Sequence, residues 1–143
     1  MSLPEKYMQI ALQQARKVDI DIPICALIVK DDEILALSVN EREKNNLVSS
    51  HAEILALNIA NKKLNNWRLN DCDMYVTLEP CPMCGWAIRN ARVKNLYFGA
   101  YDYNYGAISA YNLLKNSNTN VVGGILEKEC DEVLESYFRK LRQ

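Results

Sequence analysis

The segment Ile24-Cys25-Ala26-Leu27-Ile28-Val29 constrains the fold more than any other, because Pro23 opens it and every side chain in it is apolar. A strand with one face in water alternates polar and apolar residues, whereas an unbroken apolar run must be covered on both faces. Lys30-Asp31-Asp32-Glu33 supplies a turn, and Ile34 to Val39 resumes as a second apolar strand. The pair reads as a hairpin in a sheet packed between helices.

The rest of the chain supplies such helices. Ser2 and Glu5 form a capping-box pattern with Pro4 in the first turn, and Tyr7, Met8, Ala11, Leu12, Ala15 and Val18 keep helical spacing, which predicts a helix from about Leu3 to Val18. After the polar stretch Asn40 to Asn46, a second helix follows Ser49-Ser50-His51-Ala52-Glu53 and is marked by Ile54, Leu55, Leu57, Ile59 and Leu64. Met74 to Leu78 reads as a strand, Cys81 to Asn90 as a helix opening just past Pro80, and Asn95 to Ala100 as another strand. Beyond Gly106 the pattern predicts a short helix around Ala110 to Leu114, an Asn-rich loop and a strand at Val121-Val122. The last helix carries Leu126, Cys130, Val133, Leu134, Tyr137, Phe138 and Leu141 on one apolar face. The alternation specifies an α/β fold with helices on both sides of a sheet.

Composition narrows the context. With 143 residues, 49% hydrophobic and 24% charged, and with no repeat or linker, residues 1–143 are expected to form one domain. No apolar run suffices for a membrane span, and the N-terminus has no secretory pattern, so a cytoplasmic location is expected. Lys and Arg number 17 against 18 Asp and Glu, so net charge neither advertises nor excludes a nucleic-acid partner. Five cysteines, an odd number without a signal peptide, point to thiol or metal chemistry in a reducing compartment.

That chemistry concentrates in His51-Ala52-Glu53 and Pro80-Cys81-Pro82-Met83-Cys84, each at an expected helix start. His51 is the single histidine of the chain. One imidazole and two thiolates are good zinc ligands, and three protein ligands leave a fourth position for water. Cys81 and Cys84 share a helix face, where unpaired N–H groups favour thiolates. Glu53, two residues past His51, would point near the metal and carry a proton, the arrangement hydrolytic deamination of an amino-purine or amino-pyrimidine requires. Simpler readings exist for each part. Ser50 and Glu53 also fit a capping box, a lone His is commonly structural, and a lone Cys-x-x-Cys is also a redox or structural-zinc pattern. Cys25, Cys72 and Cys130 lack ligand spacing and read as small apolar fillers.

The His-x-Glu and Pro-Cys-x-x-Cys motifs resemble those of the zinc-dependent deaminases. Together with Ile22-Pro23-Ile24-Cys25-Ala26, Thr77-Leu78-Glu79-Pro80-Cys81-Pro82-Met83-Cys84, Phe98-Gly99-Ala100-Tyr101-Asp102, Gly106-Ala107 and Gly124-Ile125-Leu126, they make almost the whole chain similar to the bacterial tRNA-specific adenosine deaminases. The resemblance implies a three-layer α/β/α cytidine deaminase-like fold around a central mixed sheet of about five strands. It implies a homodimer with one zinc ion per subunit, converting the wobble adenosine of a tRNA anticodon to inosine. On it, His51, Cys81 and Cys84 would bind zinc and Glu53 would shuttle the proton. Asn40, Ala52 and Cys81 would contact the substrate, Cys81 through its backbone N–H. Tyr137, Phe138, Arg139, Lys140 and Arg142 would contact the anticodon stem-loop, although Tyr137 and Phe138 also suit a helix core and the cations a solvated tail. Leu47-Val48-Ser49-Ser50 stands where the family has Asp-Pro-Thr-Ala, Asn104-Tyr105 replaces Lys-Thr, and Lys115 to Asn120 is shorter than usual. These departures bear on substrate choice. A deaminase of a free base or nucleotide, of guanine or cytosine type, is the alternative, and a non-catalytic zinc-binding module a third.

Overall fold

A computed structural model describes all residues 1–143. Five strands form one mixed sheet: β1 (Cys25–Lys30), β2 (Glu33–Val39), β3 (Asp73–Leu78), β4 (Asn95–Ala100) and β5 (Asn120–Val122), in the order β2-β1-β3-β4-β5. β1 is antiparallel to both neighbours, while β3, β4 and β5 run parallel. Asp31 and Asp32 both have positive φ, 50° and 62°, the two-residue hairpin turn whose twist matches that of the strands it joins.

The unbroken apolar run of β1 has the expected cause. Ala26 and Ile28 enter one core with Met74, Val76, Leu96 and Phe98, whereas Cys25, Leu27 and Val29 enter a second core with Tyr75. Helices α3 (Ala52–Leu64) and α4 (Pro82–Ala91) close the first core, and α1 (Leu3–Ala15) and α5 (Glu127–Leu141) close the second. The result is the expected three-layer arrangement.

Several expectations need correction. β2 is not sealed on both faces: it is an edge strand, and Ile34 and Leu37 remain 39% and 37% exposed. α1 stops at Ala15 rather than Val18, because the N–H groups of Lys17 and Val18 bond to the carbonyls of Gln14 and Ala15 in tighter turns. A one-turn helix, α2 (Arg42–Asn45), occupies the stretch read as merely polar. The segment Ala110 to Leu114 is a series of turns, not a helix: Asn112 has φ 52°, and Leu113 N–H reaches back to Ala107 rather than to the preceding turn. α5 buries only Cys130 fully, and Leu126, its left-handed N-cap with φ 53°, precedes the helix yet packs with Val133 and Leu134 against the same core.

Candidate metal centre and active site

The ends of β2, β3 and β4 emerge along one rim of the sheet and deliver Asn40, Glu79 to Cys81, and Tyr101-Asp102 to one place. This is the rim of carboxyl ends where open α/β sheets bind ligands. His51 and Cys81 are the N-caps of α3 and α4, both in extended backbone, so two helix starts converge there. Pro82 takes the first helical position of α4, where its missing N–H costs nothing, and Cys84 follows in the same turn.

The Nδ1 of His51 lies 3.7 Å from the Cys81 sulfur and 3.5 Å from the Cys84 sulfur, and the three donor atoms all lie within 4.8 Å of one another. No other group of His, Cys, Asp and Glu side chains comes together in this way. Hydrogen bonding from the Cys84 thiol, with His51 assisting, pulls the Cys81 thiol down to about 4, while the same bond and burial push Cys84 upward. His51 is raised by its bond to Cys81. Within the cluster, the bond between the two sulfurs therefore favours charge on Cys81 and the proton on Cys84. Cys25, Cys72 and Cys130 are buried in the two cores, and burial alone drives Cys25 up to about 12.

Glu53 stands in the first turn of α3 and is only 5% exposed. Burial raises its carboxyl from 4.5 to about 7, outweighing the bonding from its own N–H and the Cys84 thiol. The capping-box reading fails here. His51, not Ser50, is the N-cap and makes no side-chain capping bond, while Ser50 Oγ instead accepts from Asn45 Nδ2 at 3.3 Å. Glu53 is therefore a buried carboxyl beside metal-type donors with no capping duty to explain it.

Asn40 is 7% exposed and donates through Nδ2 to the Ile22 carbonyl at 3.4 Å, but its Oδ1 has no partner. A buried acceptor left unmatched costs about 1–3 kcal/mol, so one held at the mouth of a site is a place for a ligand donor. Ala52 is fully buried directly between His51 and Glu53. No contact brings the tail to the cluster: Tyr137 is half-buried against Phe138 with ring centroids 5.2 Å apart, Phe138 is 40% exposed, and Arg139, Lys140 and Arg142 are exposed. Neither aromatic ring is a core residue.

Two supporting carboxylates escaped the sequence reading. Glu79, 2% exposed, accepts from Asp102 N–H at 3.0 Å, Ile108 N–H at 3.0 Å, Ser109 N–H at 2.7 Å and Ser109 Oγ at 2.6 Å. It ties the loop after β4 to the segment that carries Cys81, and Ala107 N–H adds a bond to the Pro80 carbonyl at 2.8 Å. Asp21 caps α2 by accepting from Glu43 and Lys44 N–H at 2.7 and 3.2 Å. The only local hint for Glu79 was an acid directly before Pro80, at the end of an apolar strand; Asp21 gave none, because its partners lie far along the chain.

Comparison with known proteins agrees with this geometry. Residues 4–142 match the MafB19-like deaminase family. A tRNA-specific adenosine deaminase of Bacillus subtilis is 41% identical over 100% of this chain and 93% of its own length. A solved tRNA:A34 deaminase, described for A-to-I editing at the wobble position of transfer RNA, superposes with a TM-score of 0.86 at 38% identity, covering 90% of this chain and 99% of its own. A solved guanine deaminase from Bacillus subtilis is also 38% identical, but over 71% of this chain and 66% of its own, with a TM-score of 0.66. With a near-full-length relative at this identity and the same five-stranded layered fold, the chain belongs to the tRNA-specific adenosine deaminase family of hydrolytic deaminases.

Proposed function

We propose that the protein hydrolyses the wobble adenosine of a tRNA anticodon to inosine, releasing ammonia, with His51, Cys81 and Cys84 holding one zinc ion and Glu53 moving the proton. The observation that carries this reading is the three-donor cluster beside a buried, uncapped Glu53. The donor spacing fits the metal: with zinc–sulfur bonds near 2.3 Å and zinc–nitrogen bonds near 2.1 Å, tetrahedral geometry requires nitrogen and sulfur about 3.6 Å apart. The separations here are 3.7 and 3.5 Å. Zinc, when bound, supplies the Lewis acidity that makes water a nucleophile near neutral pH.

The chain's own residues do the rest. Glu53 carries two protons in turn: the first from the attacking water to the purine ring nitrogen, the second from the resulting hydroxyl to the amine nitrogen, which departs as ammonia. Its burial beside the cluster, with only its own N–H and the Cys84 thiol bonded to it, leaves the carboxyl free to take and release a proton. Asn40 Oδ1 accepts from the nucleoside, ending its lack of a partner. The N–H groups of Ala52 and Cys81, at the converging helix starts, orient the base. Tyr137, Phe138, Arg139, Lys140 and Arg142 contact the anticodon stem-loop, supported by the exposure of the last turns of α5. We also propose that residues 1–143 act as one domain, that two copies pair, and that the enzyme works in the cytoplasm. Met83 and Trp86, three apart on α4 and 39% and 49% exposed, support pairing. No helix is long and apolar enough to cross a membrane.

The guanine-deaminase relative keeps a second reading in view, although it matches less of this chain. One experiment separates the two. The zinc-loaded protein is incubated with an anticodon stem-loop bearing a wobble adenosine, and in parallel with guanine, cytosine, adenosine and cytidine. Inosine in the RNA is the expected product; turnover of a free base without it rejects the reading.

A further inference from the structure

At the opposite end of α3 and α4 from the metal centre, three surface grooves meet at Trp67. No carboxylate lines any of them. The largest, about 510 Å³, is walled by Trp67, Arg89, Arg92 and the asparagines 90, 116 and 118. The adjoining groove adds Lys62, Asn61, Asn65 and Asn66. In a chain of net charge −1 this is a local concentration of cations and amide groups without acids.

The guanidinium groups here are held but not neutralised. Arg68 sits 4.2 Å and Arg92 5.5 Å from the Trp67 ring centroid. Such cation–π contacts are worth about 0.5–1 kcal/mol at exposed sites, enough to bias a long side chain towards one placement. The two ion pairs of the molecule, Arg42–Glu43 and Lys44–Glu41, lie elsewhere, and neither the Arg68 nor the Arg92 guanidinium makes a hydrogen bond. Arg89 differs, since its Nη1 is committed to the carbonyls of Leu113 and Lys115 at 3.1 and 2.8 Å. Trp67 itself is 51% exposed, too open for a core residue. A pre-placed guanidinium fork with no carboxylate is the group best matched to a phosphate, which it can bind through two parallel N–H bonds.

The other basic region lacks this character. The groove of about 650 Å³ between the end of α1 and α5 sets Arg16, Lys17 and Lys140 against Asp19, Glu129 and Glu132. Three cations facing three carboxylates leave the groove itself without a carboxylate-free guanidinium pair, and the exposed tail cations Arg139 and Arg142 do not line it.

We infer that Trp67, Arg68 and Arg92 form a docking surface for the RNA phosphate backbone, contacting the substrate outside the loop that enters the metal centre. The inference rests on the reading of the substrate as RNA. α3 has 13 residues, so the surface lies about 20 Å from the helix starts that carry the site. A partner reaching both must be an extended polyanion rather than a free base.

The test compares wild type with Arg68→Gln/Arg92→Gln, and separately with Trp67→Leu, using a full-length tRNA transcript bearing a wobble adenosine. Binding is followed across a salt series, and inosine formation, thermal midpoint and oligomeric state are measured alongside. The inference requires the double variant to weaken binding at least fivefold and to lower the log–log salt slope by about two, one per lost phosphate contact. The kcat at saturating RNA and the thermal midpoint should not move, so the defect appears in KM alone. Trp67→Leu, which keeps both charges but frees them, should weaken binding less and leave the salt slope nearly intact. An unchanged affinity and slope in the double variant overturns the inference, as does a change of oligomeric state, which would make the surface an interface between copies. If wild type binds tRNA but forms no inosine, the proposed reaction fails while the salt slopes still decide the docking surface; if wild type does not bind tRNA, both fail.

Discussion

Glu53 and Glu79 are both nearly sealed from solvent, at 5% and 2% exposure, yet the fold uses them in opposite ways. Glu79 is surrounded by four donors, three backbone N–H groups and a hydroxyl, which together satisfy both its oxygens. Glu53 is met by its own N–H and the Cys84 thiol, and burial wins, raising the carboxyl to about 7. Burial alone therefore does not make a carboxyl reactive. A buried carboxyl supplied with donors becomes a fixed brace, whereas one deprived of them keeps a proton that can be exchanged near neutral pH.

The widest separation between the two should appear in Glu53→Gln. Gln keeps the volume and removes the exchangeable proton, so kcat for inosine formation should fall by about 10³-fold, within the usual range for a general acid–base group. Metal content, measured by elemental analysis, should stay at the wild-type level, because the donors are His51, Cys81 and Cys84. Activity within tenfold of wild type would remove Glu53 from the reaction.

A second difference is thermodynamic. In the metal-free protein the folded Glu53 carboxyl titrates near 7 against an ordinary 4.5, so the folded state binds this proton more tightly than the unfolded chain does. Its contribution to stability is full below pH 4.5 and is lost as pH rises through 7, a change on the order of 3 kcal/mol. Cys81 runs the other way: lowered to about 4, it contributes above 9 and loses that contribution as pH falls towards 4. The total pH profile is therefore composite, and subtracting the profile of Glu53→Gln isolates the first component. Denaturant midpoints of chelator-treated wild type and variant should converge below pH 5 and separate by pH 7.5, with the variant the more stable.

The same two residues differ in how far the sequence alone discloses their roles. His51, Glu53, Cys81 and Cys84 stand in short motifs at helix starts, and strand runs such as Ile24 to Val29 announce a doubly covered sheet. Both signals are local, so both could be read from the chain. Glu79 acts on Asp102, Ile108 and Ser109, and Asp21 on Glu43 and Lys44, partners that only the strand order brings near. For the same reason the exposure of β2 could not be read from its composition, since an edge strand and a central one here use similar residues. The apolar residues of 110–114 suit a helix by spacing, but the left-handed Asn112 and the bond from Leu113 N–H back to Ala107 interrupt it, and neither is visible in the sequence. Asn40 shows the limit from the other side: its role followed from resemblance alone, whereas its unmatched Oδ1 is a fact of packing.

Removing the brace should cost stability rather than chemistry. Glu79→Gln places an amide NH₂ where at least one backbone donor already points, and should destabilise the protein by about 2 kcal/mol, the range for a buried group left unpaired. Wild-type and variant denaturant curves measure it. Since the loop after β4 loses its tie to the Cys81 segment, KM for RNA should rise more than kcat falls. A variant as stable as wild type would show that the four bonds are dispensable and would dissolve the contrast with Glu53.

The smallest effect approaches the brace from the other partner. Gly106 lies against the Glu79 carboxylate, and a Cβ built there would collide with Oε2 and with the Asp102 carbonyl. Neither neighbour can retreat freely, because Oε2 is fixed by Ile108 and Ser109 and the Asp102 carbonyl already accepts from Gly106 N–H at 2.8 Å. Gly106 φ is not positive, so the constraint is space rather than backbone conformation. Gly106→Ala should therefore cost about 1–2 kcal/mol, as for modest overpacking. In combination with Glu79→Gln the two losses should fall short of their sum, since one atom pair carries both. Simple additivity in that double-mutant cycle would mean that Gly106 and Glu79 act independently, and that the close approach is not what fixes the loop beside the metal centre.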